Sequence, residues 1–323
     1  MLTGVLGFFY FDSTEKLNKL SKVLIISLFA SSLFTFLGYA FGIGRVLEYT
    51  IFSEKLEEES VGLLGSSGLY SAAFIIGVFP FVISFINKKW MKWIGISLAV
   101  ITFVFILLNV RRTAIAIPII GLTIYTLYIP NKGKVISSLT AAGLLLLLLS
   151  PLYADKLFER FTYRQEQGRF EKDFYKTEGR YLETTIVFEE VFSLSDPFLL
   201  LFGERIFASG WKKGERLPRM LHSDVAVLLY GTGIIGFINY LLIYTKLFKI
   251  IPLKFSKNKV ISHLIGSFYA VIFISILASL NGSLQLVSLR SLIFLFIGII
   301  IRQYQIYKHN QIPIERTISY DNY

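Results

Sequence analysis

Residues 107–120 read "LLNVRRTAIAIPII", two adjacent arginines set between apolar stretches. On one side the apolar run reaches back to about residue 93, and on the other it continues to about residue 130. A helix that crosses a bilayer needs about 20 predominantly apolar residues, and both runs approach that length. The arginine pair therefore marks the junction between two membrane spans, and the same reading applied outward finds the others. Spans are predicted at about 22–43, 66–87, 93–110, 113–130, 135–153, 223–245, 260–280 and 286–301. The fold class expected is all-α, a polytopic membrane helical bundle of about eight spans with one long extracytoplasmic loop. Composition agrees: 54% of residues are hydrophobic and only 17% charged, against about a quarter charged in a soluble domain. The chain has no cysteine, which excludes disulfides, a thiolate nucleophile and a cysteine metal site.

A net charge of +11 would point to nucleic acid in a soluble protein. Its distribution says otherwise. With the N-terminus cytoplasmic, the inside segments carry 16 basic residues against four acidic ones, and the outside segments carry 17 against 18. That asymmetry is the positive-inside rule satisfied at every short connection. The basic excess is a topology signal, so no nucleic-acid partner is expected, and both termini are placed in the cytoplasm. The opening "MLTGVLGFFYF" lacks a basic leader and a small-residue cleavage site. It reads as an interfacial segment or the remnant of a further span, not as a cleavable signal.

Five regions follow: an N-terminal segment 1–21, spans one to five over 22–153, an extracytoplasmic loop 154–221, spans six to eight over 222–303, and a cytoplasmic tail 304–323. The tail, with "HNQIPIERTISYDNY", is expected to be mobile. A 68-residue loop from Ala154 to Leu221 is long enough to be functional in its own right, and it balances twelve basic with twelve acidic residues. Within it, "YLETTIVFEEVF" sets Leu182, Ile186, Phe188 or Glu189, and Phe192 at helical spacing, which predicts an amphipathic helix on the membrane surface. The following "SLSDPFLLLFGERIFASG" reads as a turn, a short apolar segment and a loop.

Charges near membrane depth are the first candidates for chemistry, because an arginine at a helix centre costs about 2.5–3.5 kcal/mol to insert. Arg111 and Arg112 fall at the outer end of span three or the start of span four. Snorkelling to headgroups is the ordinary explanation. Against it stand the lack of positive excess on that side and the Thr113 that follows directly. Arginine's planar fork suits a phosphate or diphosphate, so an anionic lipid headgroup is the natural partner. Arg180, in "TEGRYLE", follows Gly179 at the expected start of the amphipathic helix, where the helix dipole adds to anion attraction. In "RMLHSDVAVLLYGTGIIGFINYLL", His222 is the outer-face histidine next to a span. Ser223 is the N-cap candidate, and Asp224 stands just inside the helix. His222 can exchange protons near neutral pH, and a neighbouring carboxylate can orient it. Asp224 joins Arg111, Arg112 and Arg180 as a candidate substrate-binding residue. His263 and His309 read as structural or incidental.

Two further patterns are set aside. Gly231-x-Gly233-x-x-Gly236 fits a dinucleotide fingerprint, yet it lies inside a span with no preceding strand. Its glycines are expected to permit close helix packing. "NGS" at 281–283 fits a glycosylation sequon in a connection too small and too close to the membrane to serve as one.

Taken in order, these segments resemble the bacterial O-antigen polymerase and ligase family, the Wzy and WaaL type of integral membrane glycosyltransferase. The resemblance runs from about Ile101 to Ile243. It consists of "RRTAIAIPIIGL", similar to that family's S-R-T/G-A helix start, then "GRYLETTIVFEEVFSLSDPFLLLFGERIFASG", similar to its loop stretch G-R…W…F…P-L-x-G-x-G. "LHSDVAVLLYGTGIIGFINYLL" is similar to the family's H-N-x-x-L…G-I-I-G-x-x-x-Y-L. The resemblance implies a metal-independent, cofactor-free glycosyltransferase of the plasma membrane that takes a glycan from undecaprenyl diphosphate and transfers it to an acceptor hydroxyl. It implies that Arg112 and Arg180 grip the diphosphate and that His222 activates the acceptor. Arg111 stands where the family often has a small residue, and Ser223 replaces the usual asparagine. The family commonly has ten to twelve spans against the eight read here, which implies an N-terminally short member. Implied partners are the polyprenyl-diphosphate-linked oligosaccharide, membrane lipids, a flippase and a chain-length regulator. A polymerase of lipid-linked repeat units is the leading expectation. The alternatives are a ligase-type transferase and a non-catalytic flippase or export component.

Overall fold

The structure, a computed structural model, describes residues 2–41, 45–48, 57–60, 65–109, 112–129, 132–148, 150–152, 154–155, 158, 162, 179–194, 196–203, 210–211, 219–221, 223–252 and 258–318. These residues are overwhelmingly helical. Strand pairing among them is confined to two short antiparallel ladders, Arg45–Glu48 with Glu57–Ser60 and Gly210–Trp211 with Arg219–Met220. The chain is an all-α polytopic membrane protein, with five helices long and apolar enough to cross a bilayer. All eight predicted spans fall on helices. The chain divides into two compact units. One comprises Met1–Tyr153, Ile251–Ile274 and Val287–Tyr323, and the other Ala154–Ile250 and Ser275–Leu286.

The first unit holds helices α1 (Leu2–Tyr10), α2 (Thr14–Phe41), α3 (Gly65–Gly77), α4 (Phe79–Ser84), α5 (Lys89–Leu108), α6 (Arg112–Tyr128) and α7 (Lys132–Leu148). The predicted span at 66–87 is made of two pieces, α3 and α4, meeting at Val78 with Pro80 in the first turn of α4. Proline supplies no N–H and tolerates a helix start, which is why the interruption falls there. Helices α3 and α6 cross where Gly77 and Gly121 face each other. A Cβ on Gly121 would lie 2.5 Å from the Gly77 carbonyl oxygen. Hydroxyl pairs bind other helices across apolar surroundings: Ser32 with Thr102 at 2.6 Å, and Tyr125 with His263 Nδ1 at 2.7 Å. His263 is therefore structural, stacked on Phe81 in the core of this unit.

The opening segment is a nine-residue helix, about 14 Å long. It is packed on the last helix, α12 (Val287–Ile318). Gly4, Gly7 and Gly298 remove the side chains that would hold the two backbones apart: a Cβ on Gly298 would run into the Gly4 carbonyl, and one on Gly7 into that of Leu295. The stretch expected as a mobile tail, from His309, is helical to Ile318 as the end of α12. Two interactions lie just past the apolar run. Arg302 lies over the Phe8 ring at 5.5 Å, and the Gln303 amide donates to the Phe11 carbonyl at 2.9 Å. Residues 319–323 lie outside the described residues.

The second unit holds α8 (Gly179–Phe192), α9 (Pro197–Phe202) and α10 (Asp224–Ile250), together with the end of α11 (Lys259–Leu280) and the 3₁₀ turn Ser283–Gln285. Its apolar core is Val187, Val191, Leu221, Ala226 and Leu229, with Phe188, Leu200, Ile234 and Phe237 packed against it. The helix predicted from "YLETTIVFEEVF" is present, but its face is rotated from the expected one. Val187 and Val191 are buried at helical spacing, whereas Phe192 is 60% exposed. The β-branched valines pack closely against α10, and the larger Phe192 is left outside.

Candidate functional site

Arg112, Arg180 and Asp224 lie at helix starts. Arg112 is the first residue of α6 and is exposed, while Thr113 and Ala114 behind it are buried. The preceding helix is closed by Asn109, a buried polar residue whose backbone and side-chain N–H groups both donate to the Phe105 carbonyl, at 3.2 and 2.9 Å. That cap ends α5 sharply and leaves only two residues before α6 begins. Arg111 lies outside the described residues. Arg180 is the second residue of α8, so its backbone stands in the first helical turn, where unpaired N–H groups favour an anion. Its side chain lies outside the described residues. Arg112 belongs to the first unit, and Arg180 and Asp224 to the second.

His222 also lies outside the described residues, but those around it are well defined. The Ser223 carbonyl accepts from the Val227 N–H at 3.0 Å, which puts Ser223 at the N-cap position predicted for it. Asp224 is 7% exposed, and its carboxylate accepts the backbone N–H of Leu284 at 3.1 Å. The Gln285 side-chain amide donates to the Leu221 carbonyl at 3.2 Å. Both sides of His222 are thus tied to the turn between α11 and α12. Asp224, a candidate substrate-binding residue, is buried, and one oxygen of its carboxylate is engaged by a backbone donor that fixes this segment. Gln285 shows in the sequence only as a polar residue in an apolar stretch; its role needs a partner sixty-four residues away.

The geometry of α10 explains how the start of a long apolar helix reaches that turn. Gly233 sits at φ 62°, ψ −166°, so α10 is broken into Asp224–Thr232 and Ile234–Ile250. The second piece runs antiparallel to α11. The Tyr244 hydroxyl meets that of Ser275 at 2.7 Å, and the Tyr240 hydroxyl donates to Ser279. Extending that register puts Ile235 level with Leu284. A straight α10 would carry Asp224 about 14 Å beyond Gly233, yet Asp224 is the residue that Leu284 touches. The first piece therefore lies across the end of the span and does not lengthen it. The helix Asp224–Ile250, on which the span predicted at 223–245 falls, is thus two pieces, of which Ile234–Ile250 is about 25 Å long.

The glycine pattern set aside as a fingerprint makes this break. The Gly203 and Gly233 backbones are in contact: a Cβ on Gly203 would lie 2.5 Å from the Gly231 carbonyl carbon, and one on Gly233 2.5 Å from the Leu201 carbonyl. Gly236 leaves room for the Thr232 hydroxyl, which bonds back to the Leu228 carbonyl at 2.6 Å. Close packing was the expectation for these glycines. What the sequence did not reveal is that the packing partner is α9 of the long loop. Among the described residues, no group of three His, Asp or Glu is gathered to hold a metal. The chain matches no protein-family model, no curated protein and no solved structure.

Proposed function

We propose that the chain is a polymerase of polyprenyl-diphosphate-linked oligosaccharide repeat units, acting at the outer face of the bacterial plasma membrane. The observation that carries this reading is the fixing of residues on both sides of His222. A base that activates an acceptor must hold its place while a large glycan moves past it, and Leu221 and Asp224 are tied to the α11–α12 turn. The order of the arginine-bearing and histidine-bearing helix starts supports the same reading.

In the reaction, an acceptor hydroxyl attacks the anomeric carbon of the carrier-linked sugar. His222 takes the hydroxyl proton as the new C–O bond forms. The bond from the anomeric carbon to the diphosphate oxygen breaks, and its electron pair leaves with the polyprenyl diphosphate. Arg112 and Arg180 offset the charge that develops on that leaving group, as forked donors suited to phosphate oxygens.

Expression of Arg112→Ala, Arg180→Ala and His222→Ala tests the reading through high-molecular-weight surface glycan. Loss of long polymer with each variant stably inserted is the expected result. Wild-type polymer from all three would overturn it. A reporter fused after Ile318 checks orientation, with a cytoplasmic signal expected.

A further inference from the structure

Helix α9 is six residues long, "PFLLLF", and carries no polar side chain. One side of it is seated on protein. Leu200 packs against the core of the second unit alongside Ile234 and Phe237, and Gly203 lies against the break at Gly231–Gly233. Neighbouring α8 reaches the same level, where the Phe188 ring meets the Phe237 ring edge-on at 6.2 Å. Ile234 and Phe237 belong to the first turn of the membrane-crossing piece of α10, so α9 lies at the depth of that turn.

The other side of α9 is uncovered. Phe198 is 66% exposed, Leu201 41% and Phe202 49%, and the two phenylalanine rings lie 4.9 Å apart. On α10, against which α9 is seated, Ile235, Ile238, Leu241 and Leu242 are exposed in the same way. The backbone of α9 is also prepared for surroundings without water. Pro197 has no N–H, the Phe198 N–H is taken by the Asp196 carboxylate at 2.8 Å, and the Leu200 N–H by the Asp196 carbonyl at 3.1 Å. At the far end the Gly203 N–H bonds to the Leu199 carbonyl at 2.8 Å. Non-helical connections at membrane depth are tolerated only when their polar groups are paired or covered by protein.

We propose that α9 is a re-entrant membrane segment: the long loop dips into the hydrocarbon layer beside the break in α10, and its uncovered face contacts lipid acyl chains. Acyl chains are the occupant because α9 is seated at the depth of the first turn of a span whose own exposed residues are apolar. The inference is independent of the chemistry proposed above.

The absence of cysteine makes the test direct, since each introduced thiol is the only one in the chain. Phe198→Cys, Leu201→Cys and Phe202→Cys are prepared in the full chain and reconstituted into phospholipid nanodiscs. Leu241→Cys serves as the lipid-facing control and Lys88→Cys, exposed in the connection before α5, as the water-facing control. The expected result for the α9 thiols is reaction with a membrane-impermeant maleimide at least an order of magnitude slower than Lys88→Cys. A bimane label at these positions is expected to be quenched by doxyl-bearing lipids to the extent seen at Leu241→Cys. Labelling as fast as the water-facing control overturns the proposal. So does protection from maleimide without lipid quenching, which would mean a protein partner covers the face. Three positions keep the test decisive if one substitution prevents insertion.

Discussion

Replacing Gly233 with alanine tests the broken helix at its centre. The residue sits at φ 62°, ψ −166°, a region that residues with a Cβ hardly enter. Holding such a residue there costs about 1–3 kcal/mol. The added Cβ would also lie 2.5 Å from the Leu201 carbonyl carbon and oxygen and 2.6 Å from the Gly203 nitrogen. These are backbone atoms that cannot swing away, and overpacking of that kind costs about 1–3 kcal/mol more. The total, about 2–6 kcal/mol, is a large share of the roughly 5–15 kcal/mol by which a folded protein is stable. Unfolding in mixed micelles, titrated with SDS and followed by tryptophan fluorescence, reads the loss as a lowered midpoint. Gly133→Ala is the matched control, because nothing lies within 4 Å of that position on α7. There the change should be neutral, or stabilising by up to about 1 kcal/mol from helix propensity. Gly203→Ala, at φ 78° and against the same backbone, should behave like Gly233→Ala, and the double variant should lose less than the sum. A Gly233→Ala protein with the wild-type midpoint would refute the break and the seating of α9 together.

Asp224→Ala should cost about 1–3 kcal/mol by leaving the buried Leu284 N–H unpaired, while Asp224→Asn, which keeps an acceptor, should cost less; the same micelle titration separates them. Gly298→Ala should lower the midpoint by about 1–3 kcal/mol through collision with the Gly4 carbonyl. Deleting residues 2–10 should abolish the difference between Gly298→Ala and its parent, because the obstacle goes with α1.

Much of the fold could be read in advance because hydrophobicity is a property of each residue and of its neighbours in sequence. All eight predicted spans show as apolar runs, and Ser223–Asp224 shows as a helix start from its own chemistry. The face of α8 could not be read correctly, since Phe192 and Val191 are both apolar and only the shape of α10 decides which is buried. The backbone contact of Asp224 could not be read either, because its partner at Leu284 is remote in sequence. The contacts of Arg302 and Gln303 on α12 could not be read from neighbouring residues, because Phe8 and Phe11 lie at the opposite end of the chain.

By itself, then, the sequence determined that the chain is a bundle of membrane helices, and where most of them begin and end, because transfer into lipid is settled residue by residue. The tertiary structure decided that α10 is two pieces, that its glycines receive α9, and that the residues around His222 rest on the α11–α12 turn. Those features depend on backbone atoms from distant segments meeting at van der Waals range. No run of neighbouring residues encodes such a distance.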